Sequence, residues 1–172
     1  RSPDVMSYLM SIGIMELIRN CDPRRVAFAV GTLLSAAVVL PQSALAADEA
    51  DIQRLIETRE CQGCDLHEAD FRRMDLADVK LQGADLEGAN LIDVNFTYSR
   101  VRNAYLDGAD LRYAIFDWTD LSGTSITGAD LRDSYFDHTD LTQTILDDSD
   151  LTDTLVFDVD FSQASLCGVI DW

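Results

Sequence analysis

The chain has 172 residues, enough for one domain and a terminal extension. Acidic residues outnumber basic ones 31 to 13, giving a formal charge of −18, while 47% of the residues are hydrophobic; neither a disordered chain nor a basic nucleic-acid binder fits. An acidic surface of this size repels nucleic acid and anionic lipid and attracts cationic partners.

Residues 1–46 differ in composition from the rest. Val26 to Leu40 (VAFAVGTLLSAAVVL) is a 15-residue apolar run without a charge, preceded by Arg24 and Arg25 and followed by Pro41, Gln42 and Ala44-Leu45-Ala46. That length is short for a bilayer span and suits the centre of a secretory signal, with the small residues Ala44 and Ala46 predicting cleavage before Ala47. The chain is therefore expected to be exported and to hold no membrane segment after cleavage; a buried helix or a retained anchor is the alternative. Removing residues 1–46 takes away three acids (Asp4, Glu16, Asp22) and four bases (Arg1, Arg19, Arg24, Arg25), so the mature charge is −19.

From Asp48 the pattern turns helical. Asp48 is placed to cap a helix, Asp51 falls in its first turn, and Ile52, Leu55 and Ile56 share one face. An amphipathic helix directly ahead of a stack of repeats predicts a lid on the stack's exposed apolar end, which assigns residues 47–63 to a capping helix and a cysteine linker. Docking of this helix to a partner or a membrane surface is the alternative.

Cys61 and Cys64 flank Gln62-Gly63, and His67 follows three residues later. This spacing offers three metal ligands, whereas a structural zinc needs a fourth, for which only Asp65 or Glu68 is near. Asp65 also stands where a c-type haem attachment would need His. In an exported chain the plain expectation is a Cys61 to Cys64 disulfide fastening the lid to the first coil, with a redox or metal role for the pair as the alternative. Cys167 lies at the far end of the chain, either free or paired with a second chain in a dimer.

From Cys64 to Gly168 one large apolar residue recurs every five positions, from Leu66, Phe71, Leu76 and Leu81 through to Phe161 and Leu166, without a slip over 21 units. A period of five is neither helical nor that of a flat strand, and predicts an all-β repeat solenoid in which neighbouring units share a core. Two residues before each of these centres stands a nearly always small residue, also expected to point inward, and the residue just before the centre is most often Asp. Every glycine after residue 46, such as Gly83 and Gly108, takes the last place of a unit, which predicts a recurring corner with positive φ, as in a type II turn.

The units ADLEG (Ala84 to Gly88), ANLID, ADLRY and ADLRD resemble the pentapeptide-repeat family over residues 64–168, and the lead-in TRECQGCDLHEADF resembles exported members from cyanobacteria and plastids. The resemblance implies a right-handed quadrilateral β-helix with four units per turn, here about five coils on the order of 25 Å tall. It implies a location in the thylakoid lumen or the periplasm. Residues 169–172 form a tail in which Ile170 and Trp172 are expected to cover the last coil.

With four units per turn, residues 20 apart stack on one face. One face then carries Tyr98, Ile115, Trp118, Tyr135, His138, Leu155 and Phe157 at outward positions over central Phe96, Phe116, Phe136 and Val156. An apolar stripe on so acidic a protein is a candidate surface for an unknown protein partner. Another face stacks Asp70, Asn90, Asp110, Asp130 and Asp150 among Arg72, Arg112 and Arg132, whose charges offset the carboxylate column. With His67 and His138 as the only histidines and no phosphate-binding glycine loop, no catalytic residue, metal or cofactor is expected. The function expected is a non-enzymatic structural or interaction module. The rival readings are an acidic DNA mimic regulating a topoisomerase, since ~25 Å of duplex carries about 15 charges, and a redox or metal protein built on Cys61 and Cys64.

Overall fold

The computed structural model describes residues 47–170; the leader of residues 1–46 with its cleavage site, and Trp172, lie outside them. The chain winds as a parallel solenoid. Nearly every outward residue just before a centre pairs with the residue 20 positions on, as in Lys80↔Arg100↔Asp120↔Asp140 and Asp70↔Asn90↔Asp110↔Asp130↔Asp150↔Ile170. Twenty residues are four units, so each coil has four sides. On one side the pairing extends into two short strands, β1 (Tyr135–Asp137) and β2 (Leu155–Phe157), which run parallel with Phe136 opposite Val156.

The corners explain the five-residue period. At Leu81 the carbonyl accepts a hydrogen bond from the Ala84 amide at 3.0 Å, and Gly83, third in that turn, has φ +68°. Glycine is not required there. Asp93, Asn103 and Asp133 adopt the same left-handed conformation, and so do Tyr98 (61°), Tyr113 (62°), Trp118 (52°) and His138 (51°). Asn and Asp tolerate this region because their short side chains bond locally; the bulky aromatics do not have that excuse. Between corners the backbone bonds to the coils on either side, for example the Leu81 amide to the Arg100 carbonyl at 2.8 Å and the Arg100 amide to the Val79 carbonyl at 2.9 Å.

The interior is filled as the sequence predicts. The centres Leu66 to Phe161 and Leu166 are buried except Val156, which is partly buried against the same core; of the small inward positions only Met74 is partly exposed. Phe96, Phe116 and Phe136 stack in register with ring centroids 5.4 and 4.8 Å apart. Where the small residue is Ser or Thr rather than Ala, its hydroxyl donates to the carbonyl of the centre 23 residues earlier: Thr119 to Phe96 at 2.7 Å, Thr124 to Val101 at 2.7 Å and Thr144 to Leu121 at 2.9 Å. Ser134 is the exception, its buried hydroxyl having no hydrogen-bond partner among the described residues.

Helix α1 spans Glu49–Thr58 and starts where Asp48 accepts the Ala50 amide at 2.9 Å. It ends at Arg59, which is left-handed and whose amide bonds the Leu55 carbonyl. The helix lies on the first coil: Leu55 is buried, Ile52 packs against the core, and the Asp51 carboxylate accepts the Asp65 amide at 2.9 Å. Ile56, expected inward, is instead exposed, because a core this narrow accepts only the row through Ile52 and Leu55.

Two boundaries shift. The ladder begins at Glu60↔Lys80, so Cys61 is itself a centre and Cys64 the small inward position of the next unit, whose centre is Leu66. Their disulfide therefore closes one turn inside the first coil, with Cα atoms 5.3 Å apart, rather than tying the helix to it. At the other end Ile170 stays in register opposite Asp150 and points outward instead of covering the last coil.

Candidate interaction face

The four-sided coil brings the seven outward residues of the stripe to one face. Ile115, Tyr135 and Leu155 form an in-register column, because Ile115 bridges Tyr135 and Tyr135 bridges Leu155. Tyr98, Trp118 and His138 follow one another along the neighbouring corner, each with positive φ. The Trp118 and His138 rings stack 4.2 Å apart and 7° from parallel, and Tyr135 tilts against Phe157 at 5.6 Å. Tyr98, Ile115, Trp118, Leu155 and Phe157 are each 37–59% exposed. Tyr98 and Trp118 stand out from corners of positive φ, whereas Ile115 and Leu155 point outward from the ladder itself.

The stripe is laced with acid. The Tyr135 hydroxyl donates to Asp137 at 3.5 Å, and burial, with Asp137 and Asp117 nearby, pushes the phenol above its ordinary value. Oδ1 of Asp117 is buried without a hydrogen-bond partner among the described residues.

Apolar exposure is not confined to this face. Tyr105 and Ile145 stand exposed on another side, separated by Ser125 in the same column, and Tyr113 is exposed at a corner. The 20-residue arithmetic that located the stripe would have located these as well. What distinguishes the stripe is contiguity.

The adjoining face shows the opposite chemistry. Arg112 bonds Asp110 at 2.7 Å and reaches Asp130 at 3.6 Å; Arg132 bonds Asp130 at 2.5 Å and reaches Asp150 at 3.7 Å. Each guanidinium thus bridges carboxylates of two coils, and the Arg132 hydrogen bond holds Asp130 below its ordinary value. Arg72 pairs with Asp70 of its own coil, where the next coil offers Asn90 instead of a second carboxylate.

The cysteine region does not assemble the three ligands that the spacing suggested. The Cys61–Cys64 disulfide is buried, with Arg54 donating toward Cys64 Sγ, while His67 turns to Asp65, whose hydrogen bond raises the imidazole's affinity for protons. His67 lies instead on an acidic concavity of about 540 Å³, lined also by Glu68, Asp85, Glu87 and Asp107. No cysteine among the described residues is a free thiol, so the free form of Cys167 is excluded. No helix of the described residues is long and apolar enough to cross a membrane.

The family profile of pentapeptide repeats matches the chain in eight copies, over residues 60–92, 89–128, 114–153 and 124–163. Similar solved structures include HetL, a pentapeptide repeat protein involved in heterocyst differentiation regulation from the cyanobacterium Nostoc sp. strain PCC 7120, at 23% identity and TM-score 0.47, covering 62% of this chain and 63% of that one. The plasmid-mediated fluoroquinolone resistance protein QnrB1 is similar at 20% identity and TM-score 0.44, covering 62% of this chain and 59% of that one. A pentapeptide repeat protein of the Arabidopsis thaliana thylakoid lumen is similar at 23% identity and TM-score 0.43, covering 55% of this chain and 70% of that one. The chain spans less than two thirds of the length of HetL and of QnrB1. No curated protein sequence matches it.

Proposed function

The chain belongs to the pentapeptide-repeat family, and on that premise we propose that it is an exported, non-enzymatic module that docks a protein partner on its aromatic face. In this reading about five right-handed coils form a rigid acidic stub, closed at one end by α1. The observation that carries it is the contiguous apolar face of exposed Ile115, Trp118, Leu155 and Phe157 around half-buried Tyr135, on a chain of formal charge −18. Charge complementarity selects the partner's chemistry: an apolar patch rimmed by lysine and arginine. The signal-like pattern of residues 26–46 and the Cys61–Cys64 pairing support an oxidising compartment, the thylakoid lumen or the periplasm.

The test compares immobilised wild-type chain with the double variant Trp118→Ser, Tyr135→Ser. Partner capture from the exported fraction should be lost in the variant, and weakened by salt in the wild type, while the thermal midpoint holds. Identical capture by both chains would remove the proposal.

A second reading, the acidic DNA mimic, rests on net charge. Arg112 and Arg132 interrupt the carboxylate column at Asp110, Asp130 and Asp150, which leaves that face without a continuous run of charge. Potent inhibition of gyrase supercoiling by the mature chain would favour this reading over docking. A redox reading of Cys61 and Cys64 is opposed by their complete burial.

A further inference from the structure

At the C-terminal end of the aromatic face the imidazole of His138 lies between two carboxylates. Nδ1 is 2.6 Å from Oδ1 of Asp137, and Nε2 is 3.6 Å from Oδ2 of Asp158, one coil on. The two distances differ in kind. The first is a charge-assisted hydrogen bond, and with the proton on Nδ1 the neutral ring presents its Nε2 lone pair to Asp158. The second is too long for a hydrogen bond. It is close to the spacing of two ligands on one ion: a nitrogen and an oxygen each about 2.0–2.2 Å from a tetrahedral metal stand roughly 3.4 Å apart.

Three neighbouring features fit the same use. A carboxylate on the far nitrogen, here Asp137, is the arrangement that fixes the tautomer and orientation of metal-bound histidines. Trp118 stacks on the ring at 4.2 Å and holds its plane, and the Tyr135 hydroxyl donates to the other oxygen of Asp137. The His138 and Asp158 side chains are 39% and 69% exposed, which leaves the remaining coordination positions open to water.

We propose that His138 Nε2 and the Asp158 carboxylate bind a divalent transition-metal ion, with Asp137 as a positioning residue. Imidazole and carboxylate together suit Zn²⁺ and Cu²⁺ rather than Mg²⁺ or Ca²⁺. Asp117, one coil before Asp137, adds negative charge to the same face. The competing use of this geometry is a protonated His138 pairing with both carboxylates and no metal. The proposal is independent of partner docking, because it needs only this chain.

The test is equilibrium dialysis of the full chain against ZnCl₂, with CuCl₂ quenching of tryptophan emission as a second readout. The expected result is saturable binding of one equivalent, with quenching that Zn²⁺ reverses through the Trp118–His138 contact. Binding should weaken at least tenfold in His138→Gln and Asp158→Asn and about 10- to 100-fold in Asp137→Asn, and stay unchanged in His67→Gln. Trp118→Phe should lose the optical signal and keep the dialysis signal. Should a variant lose its fold, Zn²⁺-dependent shifts of the His138 ring protons in the wild-type chain decide instead. Absence of saturable binding, or equal binding by His138→Gln, would overturn the site.

Discussion

Two adjacent faces of one solenoid, built on the same five-residue register, solve the same problem in opposite ways. On the arginine face the outward residues satisfy one another: Arg112 and Arg132 each join carboxylates of successive coils over a core column of Leu91, Leu111, Leu131 and Leu151. On the aromatic face Trp118, Leu155 and Phe157 stay exposed, Asp117 keeps an orphaned oxygen, and the column beneath is a stack of phenylalanines. Register decides where a side chain points; it does not decide whether the surface it makes is closed or open. The left-handed corners at Trp118 and His138 make the contrast sharper, since bulky residues there cost backbone strain that glycine would avoid.

The largest expected effect lies in the cores beneath the two faces. Phe116→Ala should cost about 3–5 kcal/mol, and Leu111→Ala about 2–5 kcal/mol, because each leaves a cavity in a close-packed column. Phe116 also loses two ring partners, so its variant should be the less stable of the pair in denaturant titrations. Equal losses would mean that the ring stack adds nothing beyond volume and that the two cores are equivalent.

A smaller effect separates two buried hydroxyls at the corners of the aromatic face. Thr119 donates to the Phe96 carbonyl, whereas Ser134 has no partner among the described residues. Thr119→Val keeps the shape and removes one hydrogen bond, for an expected cost of about 0.5–1.5 kcal/mol. Ser134→Ala should cost nothing or stabilise, because it removes an unsatisfied buried group. Measured unfolding free energies that rank the two the other way would show that Ser134 is bonded after all.

These hydroxyls also mark where the sequence stopped being informative. The column of centres and the corner phase could be read from residue identity alone, since both repeat every five positions. Ser99, Thr119 and Thr124 could be read only as small, because their bonds join residues 23 apart and exist only once the coil is closed. The placement of Tyr98, Ile115, Trp118, Tyr135, His138, Leu155 and Phe157 on one face followed from the 20-residue stacking. The grouping of Asp137, His138 and Asp158 did not, because it depends on how far side chains reach between neighbouring coils. The Cys61–Cys64 pairing followed from the spacing, whereas the place of Cys61 in the register did not, because the column of Leu and Phe centres begins only at Leu66.

The smallest effect tests whether the arginine face is as closed as its geometry implies. Asp130 is held below its ordinary value first by the Arg132 hydrogen bond and then by further contacts with Arg132 and Arg112, against a desolvation that acts the other way. A carboxylate with a depressed folded value stabilises the fold above its unfolded value and loses that contribution as pH falls through the folded one. Wild type should therefore exceed Arg132→Met in thermal midpoint at neutral pH, by about 2 °C or less for so exposed a pair. That gap should shrink as the pH drops below about 4, and also in high salt. On the aromatic face no arginine among the described residues bridges Asp117 and Asp137, so Trp118→Ser should show no such acid-dependent convergence with wild type. A gap for Arg132→Met that persists unchanged at pH 3 would assign the arginine's role to packing of its stem rather than to its charge, and would erase the electrostatic half of the contrast between the faces.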